Sequence, residues 1–398
     1  VDGLCYTPLL LRQRLFTAGL SLGLVWAFWH VLVDFRQNFS SMSWVWLLEF
    51  AVFYLAALSA YRVLMTWVYS NTRSLPLAML MHASYTGWLV VMYPATSFEQ
   101  GLVWQTAFAV VLCIAVALVI GLYVNGPARW AKLVRAHLDE LDAGRVDATG
   151  RQPSPARFDA RELEGLPAPV QRYFRTVLVD GQPIIAAANI DMTGTINMST
   201  TGDQWKPFAS SQRAITRKPG FLWNAKVGMF PGIPVQVEDS YIAGHGRLNA
   251  KLFGLFTVAD LHGLGEIACG EFMRYFAESP WYPTALLPSQ GVRWEAVDET
   301  SANATIADGP ITLTLLFRFN EAGFIASVHA DARGANVGKD GVMVMLPWEC
   351  NLSGYSPHDG MLVPTRGEVA WMRPEGRKPY FVGNVKALRY EFLPGGWT

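Results

Sequence analysis

Charge is scarce in this chain. Of its 398 residues 16% are Asp, Glu, Lys or Arg, against 51% that are hydrophobic, and the two signs cancel at 32 each. A net charge of zero supplies no field to gather a polyanion, so a nucleic-acid partner is not expected. So little charge is unusual for a wholly soluble protein and points to a membrane portion joined to something else. Cysteine is scarce too: Cys5, Cys113, Cys269 and Cys350 are widely scattered, with no Cys-x-x-Cys pair, which argues against a disulfide framework and against a zinc ribbon. His245, His262, His329 and His358 show no metal-ligand spacing. In the C-terminal half no Gly-x-Ser-x-Gly or P-loop occurs, and GLGEIACG has the wrong glycine spacing for a dinucleotide fingerprint. No metal and no cofactor are expected.

Four long apolar runs fill the first third. They are drawn as spans over about Phe16–Val33, Trp44 to Val68, Leu75–Val91 and Leu102–Val124, each near the ~20 residues a bilayer requires. Trp44, Trp46, Trp88, Tyr93 and Trp104 fall near their ends, where amphipathic rings favour the headgroup layer. Arg12 and Arg14 precede the first span, Arg73 separates the second from the third, and Arg129, Lys132 and Arg135 follow the fourth. On the other side Arg36 is offset by Asp34, with Glu99 nearby. The positive-inside rule then makes the protein integral to a bacterial inner membrane, with everything after the fourth span cytoplasmic. The chain opens on Val1 and lacks a charged-then-apolar leader, so the N-terminus is read as cut, with an upstream piece missing.

Two histidines lie inside these runs. Idle polar groups in lipid are costly, so ionisable side chains there usually face a cavity or a partner. Trp26 and His30 are four residues apart and share a helix face, as do His82 and Thr86. Two helices presenting W-x-x-x-H and H-x-x-x-T are expected to meet around one polar pocket. Glu49, early in the second run, is read as a headgroup-level residue rather than as an acid for that pocket.

The stretches RLFTAGLSLGLVWAFWH and WVYSNTRSLPLAMLMHASYT resemble the last two motifs of the CPBP family, the CAAX-protease and bacteriocin-processing (ABI) intramembrane endopeptidases. The resemblance covers roughly residues 1–125. It implies that Trp26 and His30 belong to the family's second motif and His82 to its third, with Thr86 where Asn is usual. It implies hydrolysis of a membrane-embedded or prenylated peptide by water that a glutamate activates, with histidines positioning the water or the oxyanion. The family's Glu-Glu motif would fall just before Val1; Asp2 does not recreate it, so this chain is expected to be inactive as it stands. Without a third protein ligand the two histidines make a poor zinc site.

Beyond the spans, Gly126-Pro127 is a boundary, and ARWAKLVRAHLDELDAG reads as an amphipathic helix with Trp130, Leu133, His137 and Leu141 along one stripe. His137 is read as a surface residue. RVDATGRQPSPAR is a linker, and DARELEGLPAPVQRYFRTVL gives short helices broken near Leu166-Pro167, completing a hinge over 126–182. From 183 to 398 the period changes to two. Phe221, Trp223, Ala225 and Val227 alternate with Leu222, Asn224 and Lys226, and Ile311, Leu313, Leu315, Phe317 and Phe319 line one face. Val235–Val237, Val369–Trp371 and Leu388–Phe392 behave alike, and Gly-containing turns at 243–246, 308–309, 321–323 and 359–360 separate the runs. These features predict an antiparallel meander with one helix over Gly270–Ser279.

The expected fold is therefore an α-helical transmembrane bundle followed by an α+β domain dominated by a curved antiparallel sheet, an open half-barrel of lipoprotein-carrier type. Such a sheet must cover its apolar face with helices or with a ligand. Glu271, Arg274 and Glu278 at helical spacing read first as a surface charge ladder; Glu271 and Arg274 are also candidates for holding a headgroup. The segment from LPAPVQRYF through WYPTALLPS resembles an uncharacterised bacterial domain family. Two functions follow: an intramembrane endopeptidase fused to a cytoplasmic β-domain, or a non-enzymatic, membrane-tethered binder of a lipid or other hydrophobic ligand.

Overall fold

The computed structural model describes residues 16–30, 32, 47–48, 50–72, 74–92, 97–146, 155–199, 202–230, 233–336 and 343–393. Asp2, Cys5, Arg12, Arg14, Asp34, Arg36, Trp44, Trp46, Glu49, Arg73 and Tyr93 lie outside them. The chain forms two compact units. One holds residues 1–131 together with 230–233 and 253–255; the other holds 132–229, 234–252 and 256–398.

The first unit is helical: α1 over residues 16–30, α2 over Phe50–Thr72 with its first half wound as a π-helix, α3 over Leu75–Met92 and α4 over Phe98–Ile120. A π-turn, Gly121–Asn125, carries α4 into α5, Gly126–Val146. Two helices are long and apolar enough to cross a membrane by length and composition, Phe50–Thr72 and Gln100–Gly144. Ser97 caps α4 by accepting a hydrogen bond from the Gln100 amide.

Small residues set how closely α1 approaches α2. Gly19, Gly23 and Ala27 recur every fourth residue on one face of α1, the spacing by which small side chains bring helix backbones together in lipid. A Cβ at Gly23 would stand 2.7 Å from the Ser59 Cα, and one at Gly19 would stand 3.2 Å from the Val63 Cα. Ala27 and Ala57 are fully buried. At the far end of this unit Trp67 packs edge-on to Tyr123 at 5.1 Å, and Tyr123 packs on Phe253 at 5.3 Å.

The second unit is built on one antiparallel sheet. Its strands are β1 (Ile185–Asn197), β2 (Trp205–Ile215), β3 (Gly220–Phe230), β4 (Ile233–Ile242), β5 (His245–Leu252), β6 (Phe256–Gly263), β7 (Arg293–Ala296), β8 (Ser301–Asp308), β9 (Ile311–Phe319), β10 (Ile325–Asn336), β11 (Met343–Ser353), β14 (Arg366–Arg373) and β15 (Gly376–Phe392). A separate small hairpin pairs β12 (Ser356–His358) with β13 (Met361–Val363). The order in the large sheet is β6-β5-β4-β3-β2-β1-β15-β14-β11-β10-β9-β8-β7. Two meanders, one on either side, are joined where β1 pairs with β15, from Ile185 opposite Phe392 to Ile196 opposite Phe381. Helix α6 (Ala168–Val177) precedes the sheet, and α7 (Glu266–Ala277) divides its halves.

One face of the sheet holds the core. Helix α7 packs mainly on β5, β6, β9 and β10, and after it the short turns from Ser279 to Gln290 bring in Trp281, Tyr282 and Leu286, all buried. Tyr173, Phe174 and Val177 of α6 close the same core. Fully burying each such large apolar side chain stabilises by roughly 1.5–3 kcal/mol. Helix α7 starts at Glu266, four residues before the Gly270 expected from sequence, and ends at Ala277. The glycines of GLGEIACG read as breakers, but Ala268 and Gly270 are both buried, and packing outweighs the propensity cost.

Three glycines stand abreast on neighbouring strands: Gly194 of β1 opposite Gly383 of β15, and Gly383 opposite Gly367 of β14. A Cβ at Gly194 would meet the Phe208 ring at 2.9 Å, one at Gly383 the Phe381 ring at 2.8 Å, and one at Gly367 the Trp281 ring at 3.1 Å. The row thus lets aromatic rings lie flat over the strands, and Phe208 and Phe381 stack at 5.0 Å.

The opposite, outer face carries the later part of α5. Leu141 packs over Gly220, and Arg213 donates to Asp142 at 2.8 Å and to Glu391 at 2.7 Å. Arg247 pairs with Glu140 at 3.0 Å. His137, expected to be a surface residue, instead meets the fully buried Glu238 carboxylate at 2.6 Å. Val134 and Leu141, one turn before and after it, are buried, so His137 lies on the packed face of the helix.

Gly23→Ala is expected to destabilise the helical unit by about 1–3 kcal/mol, the cost of overpacking a close contact. Gly87→Ala, where nothing stands within 4 Å of the added Cβ, should be neutral or stabilising by up to about 1 kcal/mol. Thermal unfolding of both variants in the same detergent checks the contrast.

Candidate functional site

The residues singled out in the apolar runs do come together. Within the helical unit the Trp26 ring lies 5.4 Å from the His30 ring, edge-on, and 5.4 Å from the His82 ring. Tyr85 stands 6.5 Å from Trp26 and stacks on Tyr61 at 4.4 Å. Tyr61 donates to the Met81 carbonyl, and the buried Tyr85 hydroxyl finds no hydrogen-bond partner among the described residues. His82 is exposed and His30 half-buried. Thr86, set in the sequence reading where the related motif has Asn, turns away from this group. Its hydroxyl donates back to the His82 and Ala83 carbonyls of its own helix at 3.2 and 3.1 Å. Among the described residues no three His, Cys, Asp or Glu side chains gather to hold a metal.

The second group lies beneath the sheet. Period-two alternation along β4 sends Glu238 to the outer face and Asp239 to the core face. There Arg274 of α7 donates to Asp239 at 2.6 Å and to Glu278 at 2.8 Å, and Gln212 of β2 donates to the other Glu278 oxygen at 2.6 Å. The Arg274 guanidinium lies over Phe221 at 5.0 Å and Trp223 at 4.8 Å. A second arginine, Arg333 of β10, lies over Trp348 at 4.7 Å and stands 3.7 Å from Glu271. Tyr380 accepts hydrogen bonds from Trp348 at 3.0 Å and from Arg333 at 3.4 Å.

These charges are therefore not the surface ladder suggested by their spacing. Glu271 and Glu278 are buried and Arg274 is largely covered, in an apolar core where two guanidiniums layered on aromatic faces pair with three carboxylates. The i,i+4 spacing is the same for an exposed pair and a buried one. The missed partner, Asp239, sits in VQVEDS, where two adjacent acids on a strand must face opposite ways. With three carboxylates against two guanidiniums the cluster is one negative charge in excess if every carboxylate is ionised. Among the described residues Glu271 Oε2 and Asp239 Oδ1 find no hydrogen-bond partner. Burial and then the Asp239 charge push the Glu271 carboxyl up to about 8, against the pull of Arg333 and Arg274. Burial likewise raises Asp239, opposed chiefly by Arg274. Burial thus favours the protonated form of Glu271, which reduces the excess negative charge of the cluster.

Away from the helix, the core face stays apolar but is less deeply covered. By register, Ile196 of β1, Met229 of β3 and Phe381 of β15 follow Met192, Val227 and Val385 toward the hairpin ends of their strands. All three are half-buried or partly covered and pack on the core edge.

The chain has a helical N-terminal region followed by a large antiparallel β-sheet domain. Residues 164–390 match a family of unknown function, DUF6920, and the chain belongs to that family. Two solved structures are similar. One is a LolA superfamily protein from Nitrosomonas europaea, 10% identical, covering 57% of this chain and 94% of its own, with a TM-score of 0.29. The other is a beta-barrel-like protein of a domain of unknown function, DUF1849, from Brucella abortus, 11% identical over 53% of this chain and 99% of its own, with a TM-score of 0.17. No curated protein matches. Nothing in these comparisons supports a protease in the helical third, and the family match begins after it.

The raised Glu271 carboxyl fixes a pH dependence. Between the ordinary carboxyl value of 4.5 and about 8 the folded chain binds more protons than the unfolded one, so stability is lost as pH rises through that window. The thermal midpoint of the sheet unit is expected to fall by several degrees from pH 5 to pH 9. Glu271→Gln, which mimics the protonated acid, should flatten that slope.

Proposed function

We propose that the protein is a non-enzymatic, membrane-tethered binding protein for a lipid or other hydrophobic ligand. The observation that carries this reading is the uneven cover of the sheet's core face. Helix α7 and the turns after it fill one part, while Ile196, Met229 and Phe381 form an apolar ledge that they leave partly open. An apolar ledge continuous with a packed core is suited to an acyl chain or a similar body, which would gain burial without disturbing the polar cluster. Glu271 and Arg274, candidates for a headgroup in the sequence, take a different part in this proposal. Their bonds within the cluster brace α7 against β4 and β10, and so hold the filled part of the sheet in shape. The sheet is read as an open half-barrel that follows the spans in the chain. Arg129, Lys132 and Arg135 favour the cytoplasmic side for it by the positive-inside rule.

A polyene fatty acid whose fluorescence rises in apolar surroundings tests the proposal, titrated into the full chain in lipid nanodiscs against empty discs. Saturable binding is expected, weakened by about one to two decades in Phe381→Asp, the loss equivalent to one large apolar contact of roughly 1.5–3 kcal/mol. Titration curves indistinguishable from those of empty discs would remove the reading.

One observation favours a second reading. Trp26 touching both His30 and His82 is the arrangement that the resemblance to CAAX/ABI endopeptidases implies. In that reading the helical third is the remnant or the partial chain of a peptidase. Cleavage of a prenylated peptide by a chain extended upstream with a Glu-Glu pair, and its loss in His82→Ala, would support it; no cleavage with His82 intact would exclude it.

A further inference from the structure

The two edges of the large sheet differ. β7, at one edge, has four residues and sets Arg293 and Glu295 in solvent on either side of the buried Trp294. A short, charged edge resists pairing with another chain. β6, at the other edge, runs for eight residues, Phe256–Gly263, and contains no Lys, Arg or Pro. None of its residues is buried. β5 pairs with one side of its backbone, and among the described residues no further backbone partner meets the other side. An edge strand in this state is a template for one more strand.

The pattern of charge on β6 selects its own copy as that strand. The pairing with β5 slips at Val258, where Thr257 lies opposite Lys251 and Ala259 opposite Ala250. The regular part of the edge is therefore Ala259–Gly263, with Leu261 at its centre. Two copies that continue one sheet are related by a two-fold axis normal to it, and residues opposite each other share a face. The axis must then pass beside a residue and not between two. Centred on Asp260, it would set carboxylate against carboxylate; centred on His262, imidazole against imidazole. Centred on Leu261, it sets Asp260 opposite His262 of the other copy, and His262 opposite Asp260. Both side chains are more than half exposed, and within one copy they lie 3.3 Å apart. Acid and imidazole would thus alternate around a square of four, a complementary cross-strand arrangement. The same register brings the exposed Val258 toward the exposed Leu264 of the other copy, twice.

We infer that β6 is an interface between two copies of this chain, paired antiparallel about Leu261 so that two sheets become one. Backbone hydrogen bonds along Ala259–Gly263 supply the attraction, and the Asp260–His262 pairs fix the register. The interface is separate from the apolar ledge and does not depend on what that ledge binds.

The test uses the full chain in detergent, with protein mass read by light scattering and each variant first shown to melt like the parent. A mass of two chains is expected for the parent and of one chain for Asp260→Lys at the same concentration. The exchanged pair Asp260→Lys/His262→Asp should restore two, which a general loss of structure could not do. Oxidation should also join copies of Leu261→Cys well above the level of the parent with its four cysteines, because residues directly opposite stand within disulfide reach. Copies of Ala259→Cys should stay separate, since in this register the two positions lie roughly 13 Å apart. A parent of one chain would overturn the inference. So would a two-chain mass that Asp260→Lys leaves unchanged, which would put the contact on another surface. Joining at 259 in place of 261, or no recovery in the exchanged pair, would overturn it as well.

Discussion

The sheet depends on the meeting of its first and last strands. β1 and β15 are separated by most of the domain in sequence, yet they pair along nearly their whole length and turn two independent meanders into one surface. Each meander alone would expose its core face and an unpaired strand edge. Joined, they share one hydrophobic core, with α7 held between them and α6 closing the side. Contacts of such sequence separation carry a large loop-closure cost before they stabilise anything, so this pairing sets the cooperativity of the unit.

Within that core the polar cluster has a structural logic. Burying five charged groups is expensive, and an ion pair is worth little unless geometry and neighbours complete it. Arg274 and Arg333 each lie on aromatic faces, and Arg274 reaches carboxylates from two different elements. This ties α7 to β2, β4 and β10 at fixed positions, a specificity that apolar packing alone does not give. The outer face repeats the device with Arg213 and with His137 on Glu238, so β4 is pinned on both sides through adjacent residues.

Much of the local structure was legible in the sequence. Alternation at Phe221–Val227 and Ile311–Phe319 marks strands that the structure contains, and the turn glycines fall between strands. Two of the apolar runs became helices able to span a membrane. Pairing of distant strands leaves no local trace, so the order of the sheet was not readable. The charged residues of α7 misled because helical spacing does not report burial. The Gly19, Gly23 and Ala27 stripe was readable from its spacing and was overlooked beside the histidines of the same helix region. Trp26 lies beside both histidines, while the Thr86 hydroxyl bonds back into its own helix, because a threonine hydroxyl in a helix readily bonds the carbonyl one turn before it.

The glycine row has an outcome for the sheet's mechanics. Along Gly194, Gly383 and Gly367 three neighbouring strands lack side-chain bulk on the same line, and bending there meets no resistance from β-carbons. A side chain placed in this row would have to displace the Phe381 ring at Gly383, the Trp281 ring at Gly367, and both the Val382 carbonyl and the Phe208 ring at Gly194. The absent β-carbons are thus the space that the aromatic layer occupies, and a bulkier residue in the row would lift the rings off the strands.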